Sequence, residues 1–129
     1  MDKTFFFYDL ETSGLLARED RIMQFAGQRT DMELNPIGEP VNILVKMTDD
    51  ALPSPFTINV TKITPQDTLR DGLSEAEFCK YVTEEVFTPN TIAVGYNTVR
   101  LALRLQGFSL NRFLVEASFY PRWRLATKK

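Results

Sequence analysis

Residues 4–14 read TFFFYDLETSG, a run of four aromatic residues that leads into two acids and a polar turn. Such a run favours a central strand that is buried on both faces. Side chains two positions apart in a strand point to the same face, so Asp9 and Glu11 are expected to emerge together where the strand ends. The stretch therefore predicts a central strand over residues 4–10 with a pair of carboxylates at its end.

Three further segments are predicted to be strands around this one. Residues 22–30 and 41–47 follow after short links, which favours an antiparallel meander. Residues 91–97 carry no charge and predict a fourth, buried strand. Together with one helix, these strands predict an α/β or α+β domain built on a mixed sheet.

One helix is predicted with a defined start. Ser74 and Glu77 have the Ser-x-x-Glu spacing of a capping box, and apolar residues follow at helical spacing, so residues 75–87 are expected to be helical. The segment 34–38 contains Asn-Pro and Gly, which predict a turn between two strands. Prolines predict that residues 48–65 are mostly loop, with room for one helical turn.

The composition is that of an ordinary globular domain. The chain has 129 residues, of which 43% are apolar and 25% charged, enough for one domain with its own core. No apolar run approaches the roughly 18 residues of a membrane span, so no membrane association is expected. The first residues lack the pattern of a signal peptide, and a single cysteine, Cys79, excludes an internal disulfide. A cytoplasmic protein is therefore expected.

The chain contains no histidine, which excludes several classes of catalytic site. A Ser-His-Asp triad, a Cys-His pair, a histidine-ligated zinc site and a histidine general base all need the missing imidazole. Any metal must be held by carboxylates, which favour hard cations such as Mg²⁺ or Mn²⁺. The pair of Asp9 and Glu11 suits the start of a metal-dependent phosphoryl-transfer site, although a strand that ends in solvated acids has the same pattern.

Residues 5–14 resemble the first motif of the DEDD superfamily of 3′→5′ exonucleases, whose opening acids bind metal ions. Other short motifs narrow the resemblance to the bacterial exonuclease I (exodeoxyribonuclease I) family, over residues 4–100. These motifs are QFA at 24–26, RTD at 29–31, NPIGEP at 35–40, DDALPSP at 49–55, ITPQ at 63–66 and GYNTVR at 95–100. The resemblance implies a ribonuclease-H-like mixed sheet with a flanking helix, which would be incomplete in this chain.

The resemblance also implies a site and an activity. Asp9 and Glu11 match the first metal ligands of the family, with Mg²⁺ as the cofactor and Mn²⁺ as the alternative. Glu11 would also lie near the terminal nucleotide, and the turn of Thr12, Ser13 and Gly14 would lie along it. The implied function is Mg²⁺-dependent hydrolysis of single-stranded DNA from its 3′ end, in DNA repair and recombination. By itself, Gly14 is equally explained as an ordinary turn glycine.

The resemblance departs from the family pattern after Arg100. The family continues with Phe-Asp, whose Asp is the carboxylate of the second motif, whereas this chain has Leu101-Ala102. The third motif of the family needs a His base and a further Asp, but Glu116 is the only acid after residue 97. We therefore expect a truncated or frame-disrupted exonuclease without a catalytic base, and little or no activity from the chain alone.

Charge changes sign along the chain at about the same place. Residues 1–97 hold 8 basic and 16 acidic residues, a net charge of −8, whereas residues 98–129 hold 7 basic and 1 acidic residue, a net charge of +6. This change predicts two parts. Residues 1–100 would be the N-terminal part of an exonuclease domain, and residues 101–129 a divergent basic tail with little order.

Three interpretations of this tail stay open. It is sequence of other origin that does not complete the fold, or a nucleic-acid-binding appendage in which arginines alternate with aromatic residues, or an amphipathic helix that covers the sheet. The second interpretation gives the alternative function, a non-catalytic nucleic-acid-binding or regulatory module. A sheet that lacks its last strand is also predicted to self-associate through its exposed edge.

Overall fold

Three strands come first in the chain, followed by a group of short helices and then two more strands. A computed structural model describes residues 2–14, 21–96 and 127–128. The strands are β1 (Thr4–Thr12), β2 (Ile22–Thr30), β3 (Pro36–Leu44), β4 (Thr91–Tyr96) and β5 (Thr127–Lys128). The helices are α1 (Pro55–Thr61), α2 (Pro65–Asp71) and α3 (Glu75–Tyr81), with a 3₁₀ turn at Asp49–Ala51 and a π-helical turn at Val82–Val86.

The strands form one mixed sheet in the order β3-β2-β1-β4-β5. β2 is antiparallel to both β1 and β3, as the predicted meander requires. β4 is parallel to β1, with Phe5 opposite Ile92 and Phe7 opposite Val94, and β5 adds two residues parallel to β4. The predicted mixed α/β sheet is confirmed, and β1 lies at its centre.

An aromatic cluster fixes one face of β1. Phe6 and Tyr8 are only 2% and 6% exposed. They pack on Phe25 of β2, whose ring centroid lies 5.9 Å from that of Phe6 and 5.5 Å from that of Tyr8. Phe78 of α3 and Phe87 complete the cluster, 5.7 and 6.4 Å from Phe25. Each such ring pair adds about 0.5–1.5 kcal/mol to the stabilisation from burial.

The other face of β1 is more open than the sequence predicts. Phe7 is 38% exposed, and Asp9 is exposed as well. The prediction of a strand buried on both faces is therefore wrong for the described structure, because α3 packs on the side of Phe6 and Tyr8. Four aromatic residues in a row indicate a central strand without indicating that both of its faces are covered.

α3 begins where the sequence predicts. Ser74 Oγ accepts the N–H of Glu77 at 3.2 Å, and Glu77 Oε2 accepts the N–H of Ser74 at 3.1 Å, which are the two bonds of the predicted capping box. The predicted helix over residues 75–87 corresponds to α3 and the π-helical turn at Val82–Val86 that follows it. No described helix has both the length and the apolarity that crossing a membrane requires.

α1 and the start of α2 lie in the segment 48–65, which the sequence predicts to be mostly loop. Pro55 and Pro65 occupy the first turn of these helices. Backbone N–H groups in a first turn have no hydrogen-bond partner within the helix, so proline, which lacks an N–H, costs no hydrogen bond there. Ser54 and Thr64 precede them, and each side-chain oxygen accepts an N–H of the first turn. The prolines therefore start helices at these positions, and the loop prediction is wrong there.

The turn between β2 and β3 comes earlier than the sequence predicts. It is held by Asp31, whose Oδ1 accepts the N–H groups of Glu33 and Asn35, each at 2.9 Å. β3 then starts at Pro36, within the segment that was predicted to be the turn, and ends at Leu44. Proline is tolerated at the first residue of an outer strand, because no ladder bond is lost there.

β3 is the outer strand on one side of the sheet. Pro36 and Pro40 offer no N–H to a further strand, and Gly38 has a φ of +69°. Prolines and irregular backbone disfavour pairing with the sheet of another molecule. Self-association through a sheet edge stays a prediction, and the β3 edge is poorly suited to it.

Arg29 of β2 joins the starts of two strands to the end of the helical segment. Its Nη1 donates to Oγ1 of Thr4 at 2.7 Å and to Oγ1 of Thr91 at 2.8 Å, the first residues of β1 and β4. Its Nη2 donates to the carbonyl of Val86 at 2.5 Å, and the guanidinium carbon lies 5.4 Å from the centre of the Phe6 ring. Arg29 therefore holds the parallel strands β1 and β4 in register at their first residues.

Cys79 is the single cysteine of the chain and lies buried on α3. Burial, and then the negative charge of Glu75, raises the pKa of the Cys79 thiol to about 12. Since the thiolate is the reactive form of cysteine, this residue acts as a small apolar side chain in the core.

Gly27→Ala should destabilise the fold by about 2–3 kcal/mol. A Cβ at this position would lie 2.4 Å from Cε1 of Phe6 and 2.5 Å from the carbonyl oxygen of Phe7, which is backbone of the central strand. Urea unfolding followed by circular dichroism measures the change. Gly38→Ala is the control: no atom of the part of the chain that the structure describes lies within 4 Å of its Cβ position, and its positive φ opposes the change, so about 1 kcal/mol is expected. Equal losses in the two variants would contradict the packing argument.

Asp31→Asn should make the melting temperature less sensitive to acid. Hydrogen bonds from the side chain and backbone of Asn35 lower the pKa of Asp31 from its ordinary value of 3.8. A lowered pKa in the folded state means that the ionised carboxylate stabilises the fold above its unfolded-state pKa, and that this contribution is lost as pH falls through the folded-state pKa. The melting temperatures of the wild-type chain and the variant should differ near neutral pH and converge at low pH. A difference that persists unchanged in acid would count against the turn geometry.

Candidate metal and nucleotide site

Asp9 and Glu11 lie on the face of β1 that points away from the aromatic cluster. Across the strand pair, Asp9 is opposite Ala26 and Glu11 is opposite Gln24. The pairing of β1 with β2 becomes irregular only after Glu11, so the alternation of side chains is intact up to that residue. The two carboxylates therefore share one face at the end of β1, as the sequence predicts.

The two acids differ in their surroundings. Asp9 is exposed, and its Oδ1 accepts the N–H of Leu10 at 2.9 Å. Glu11 is partly buried, and this burial, followed by the negative charge of Asp9, raises the pKa of Glu11 above its ordinary value. The two carboxylates are therefore near enough for the charge of Asp9 to disfavour the ionised form of Glu11.

The turn of residues 12–14 is held by contacts to two other elements. Thr12 Oγ1 donates to the carbonyl of Gly14 at 2.8 Å. Ser13 is 4% exposed: its N–H donates to the carbonyl of Arg21, and its Oγ accepts the N–H of Arg21, both at 2.9 Å. Thr57 of α1 donates to the carbonyl of Ser13 at 3.3 Å. The turn is therefore fixed between the residue that precedes β2 and the side of α1.

These contacts bear on the individual residues that the sequence predicts to bind substrate. Glu11 and Thr12 are the last two residues of β1, and Ser13 and Gly14 follow them directly in the chain. Because the hydroxyl of Ser13 is buried and already accepts a hydrogen bond, its side chain serves the turn itself. That these residues bind a nucleotide stays a prediction.

A cluster of three charged residues next to the turn is not predicted from the sequence. Arg21 Nη2 lies 2.8 Å from Asp50 Oδ2, and Arg21 Nη1 lies 3.4 Å from Glu75 Oε2. Asp50 belongs to the 3₁₀ turn and Glu75 is the first residue of α3, so 29 and 54 residues separate them from Arg21. No local spacing in the sequence indicates such a contact.

Within the described residues, the candidate site contains two carboxylates, those of Asp9 and Glu11. Across residues 2–14, 21–96 and 127–128, no group of three or more His, Cys, Asp or Glu side chains is placed to hold a metal ion. The predictions for Leu101, Ala102 and Glu116, and for the basic residues between 97 and 126, lie outside the described residues.

Comparisons with a family model and with known proteins both indicate exonucleases. A family model described as Exonuclease, RNase T, matches residues 6–117. Exodeoxyribonuclease I of Haemophilus influenzae is 42% identical over 119 residues, which cover 92% of this chain and 25% of that protein. Both matches extend beyond Arg100, so they cover more of the chain than residues 4–100, the range over which the motifs of the sequence indicate the resemblance. The chain spans about a quarter of the length of this relative.

Solved structures agree with the sequence relatives. An exonuclease I from Methylocaldum szegediense has a TM-score of 0.72 and 46% identity, over 80% of this chain and 22% of that one. Exonuclease I of Escherichia coli, solved in complex with a dT13 oligonucleotide, has a TM-score of 0.71 and 43% identity, over 77% of this chain and 21% of that one. With a family match over most of its length and the same fold as these enzymes, this chain belongs to the exonuclease family.

Proposed function

We propose that residues 9–14 form the cation-binding and 3′-end-binding part of a 3′→5′ exonuclease that acts on single-stranded DNA in repair and recombination. The observation that carries the proposal is the pair of Asp9 and Glu11 on one face at the end of β1, in a chain of the exonuclease family. The dT13 oligonucleotide bound to the E. coli relative supports single-stranded DNA as the substrate class.

The donor set fits a hard divalent cation. Asp9 and Glu11 offer carboxylate oxygens, which Mg²⁺ and Mn²⁺ prefer, and the mutual repulsion of the two charges would be relieved by a bound cation. The chemistry that such a cation supplies is a bound water of lowered pKa and positive charge for the transition state of phosphoryl transfer. Two carboxylates suit one cation, whereas a closely spaced pair of cations needs more negative charge.

The remaining residues of the site would bind and orient the DNA end. Glu11 lies in the chain between Asp9 and the turn of residues 12–14, so it would contact both the cation and the terminal nucleotide. The backbone of Thr12 and Gly14 would lie along that nucleotide, held in place by the bonds that fix Ser13. The chain offers no histidine as a base to deprotonate the attacking water, which alone costs a factor of about 10²–10⁴ in rate.

The alternative proposal is a non-catalytic nucleic-acid-binding or regulatory module. The observation that favours it is the net charge of +6 over residues 98–129, where arginines are interspersed with aromatic residues. Arginine binds phosphates and aromatic rings stack on bases, so this composition suits single-stranded DNA.

Asp9→Asn and Glu11→Gln should each weaken the binding of Mn²⁺ by about tenfold or more, because each removes one of two adjacent anionic ligands. Mn²⁺ alone is titrated against the protein, and free ion is measured by electron paramagnetic resonance. Glu39→Gln, which removes an exposed acid on β3, is the matched control and should leave the affinity unchanged. Unchanged binding in both site variants would overturn the assignment of the cation site.

A nuclease assay separates the two functions. The purified chain is incubated with Mg²⁺ and labelled single-stranded DNA, and we expect little or no release of nucleotides. Cleavage that Asp9→Ala abolishes would show that the chain is a complete enzyme and refute the expected inactivity. Retention of DNA without cleavage, weakened by salt and by Arg104→Ala, would favour the binding module.

A further inference from the structure

Arg21 connects the turn of residues 12–14 to the helical part of the protein. Its backbone bonds to Ser13 in both directions, through the Ser13 N–H and the Ser13 Oγ. Its guanidinium reaches the opposite way, to Asp50 Oδ2 at 2.8 Å and Glu75 Oε2 at 3.4 Å. One residue therefore bonds to the turn with its backbone and to two acids with its side chain.

The ion pair with Glu75 is largely shielded from water. The side chain of Glu75 is 14% exposed and that of Arg21 is 25% exposed, whereas Asp50 is 63% exposed. Burial raises the pKa of the Glu75 carboxyl, so its ionised form depends on the neighbouring guanidinium. A shielded pair costs far more to break than an exposed one, because the remaining charge is left without its partner. The geometry of this contact therefore constrains where Arg21 lies.

We propose that Arg21 is a positioning residue. Through its ion pairs with Glu75 and Asp50, it holds the turn of residues 12–14 in the place that nucleotide binding requires. The effect of Arg21 on nucleotide binding rests on the proposed function, whereas its effect on the turn does not. Arg21 acts through Ser13: the ion pairs fix the Arg21 side chain, the fixed side chain restrains the Arg21 backbone, and that backbone holds the buried Ser13. Nothing in the chain of contacts requires Arg21 to touch the nucleotide.

The chain provides a matched control for a residue of this kind. Arg70 also bridges two carboxylates, those of Asp67 at 3.1 Å and Asp71 at 2.9 Å. Its side chain is 67% exposed, and all three residues belong to α2, so its ion pairs connect no other element to the turn. A substitution at Arg70 removes the same charge and the same number of ion-pair partners without touching the turn.

The first experiment measures amide hydrogen exchange by NMR in Arg21→Met, Glu75→Gln and Arg70→Met. We expect the protection of the Ser13 amide to fall by about tenfold or more in the first two variants. The amides of Phe6 and Tyr8, in the middle of β1, should keep theirs, and Arg70→Met should change neither. Selective loss at the turn is what separates positioning from a general loss of stability.

The outcomes are decisive for the anchoring role of Arg21. Unchanged protection of Ser13, or a uniform loss along β1, would overturn the proposal. If Arg21→Met does not fold, Glu75→Gln decides alone, because it keeps the size of the side chain while it removes the charge and replaces one of the two acceptor oxygens with an NH2 donor. These measurements contain no ligand, so a failure of the proposed function does not affect them.

The second experiment tests the consequence for binding, with deoxythymidine monophosphate as the probe in the presence of Mn²⁺. Arg21→Met should weaken nucleotide binding by about tenfold while leaving the affinity for Mn²⁺ alone unchanged, because Asp9 and Glu11 are intact. Nucleotide binding that stays unchanged although Ser13 has lost its protection would overturn the positioning role. Absence of both Mn²⁺ and nucleotide binding in the wild-type chain would instead refute the proposed function.

Discussion

The alternation of side chains along β1 is the constraint on which the site depends. Phe6 and Tyr8 are held on one face by the aromatic cluster around Phe25, so Phe7, Asp9 and Glu11 must point to the other face. A shift of the strand by one residue would turn Phe7 and Asp9 toward the core and expose Phe6 and Tyr8. The energy of the core therefore fixes the direction of both carboxylates, although neither of them belongs to that core.

The central elements could be predicted from the sequence because their signals are local. The aromatic run of β1, the uncharged β4 and the capping box at Ser74 each depend on residues close together in the chain, and all three are confirmed. Proline was ambiguous, since the same residue that breaks a helix also starts one. The structure resolves that ambiguity at Pro55 and Pro65 through the capping residues that precede them.

The candidate site was predictable only in part, for a related reason. Asp9 and Glu11 are two residues apart, so strand geometry alone places them together. The contacts that hold the adjacent turn come from Arg21, Thr57 and Glu75, which the chain brings together over long sequence separations. Such contacts follow from the packing of whole elements, and no pattern within one segment specifies them.

The buried thiol of Cys79 can be used to detect the separation of α3 from the sheet. Because the thiol is buried, which raises its pKa to about 12, the sulfur reacts poorly with an alkylating reagent while α3 is packed on the sheet. Because no other thiol exists in the chain, every labelled molecule is one in which this helix has come away. The rate at which this thiol is labelled therefore reports on the separation of α3 from the sheet, and no probe has to be engineered into the protein.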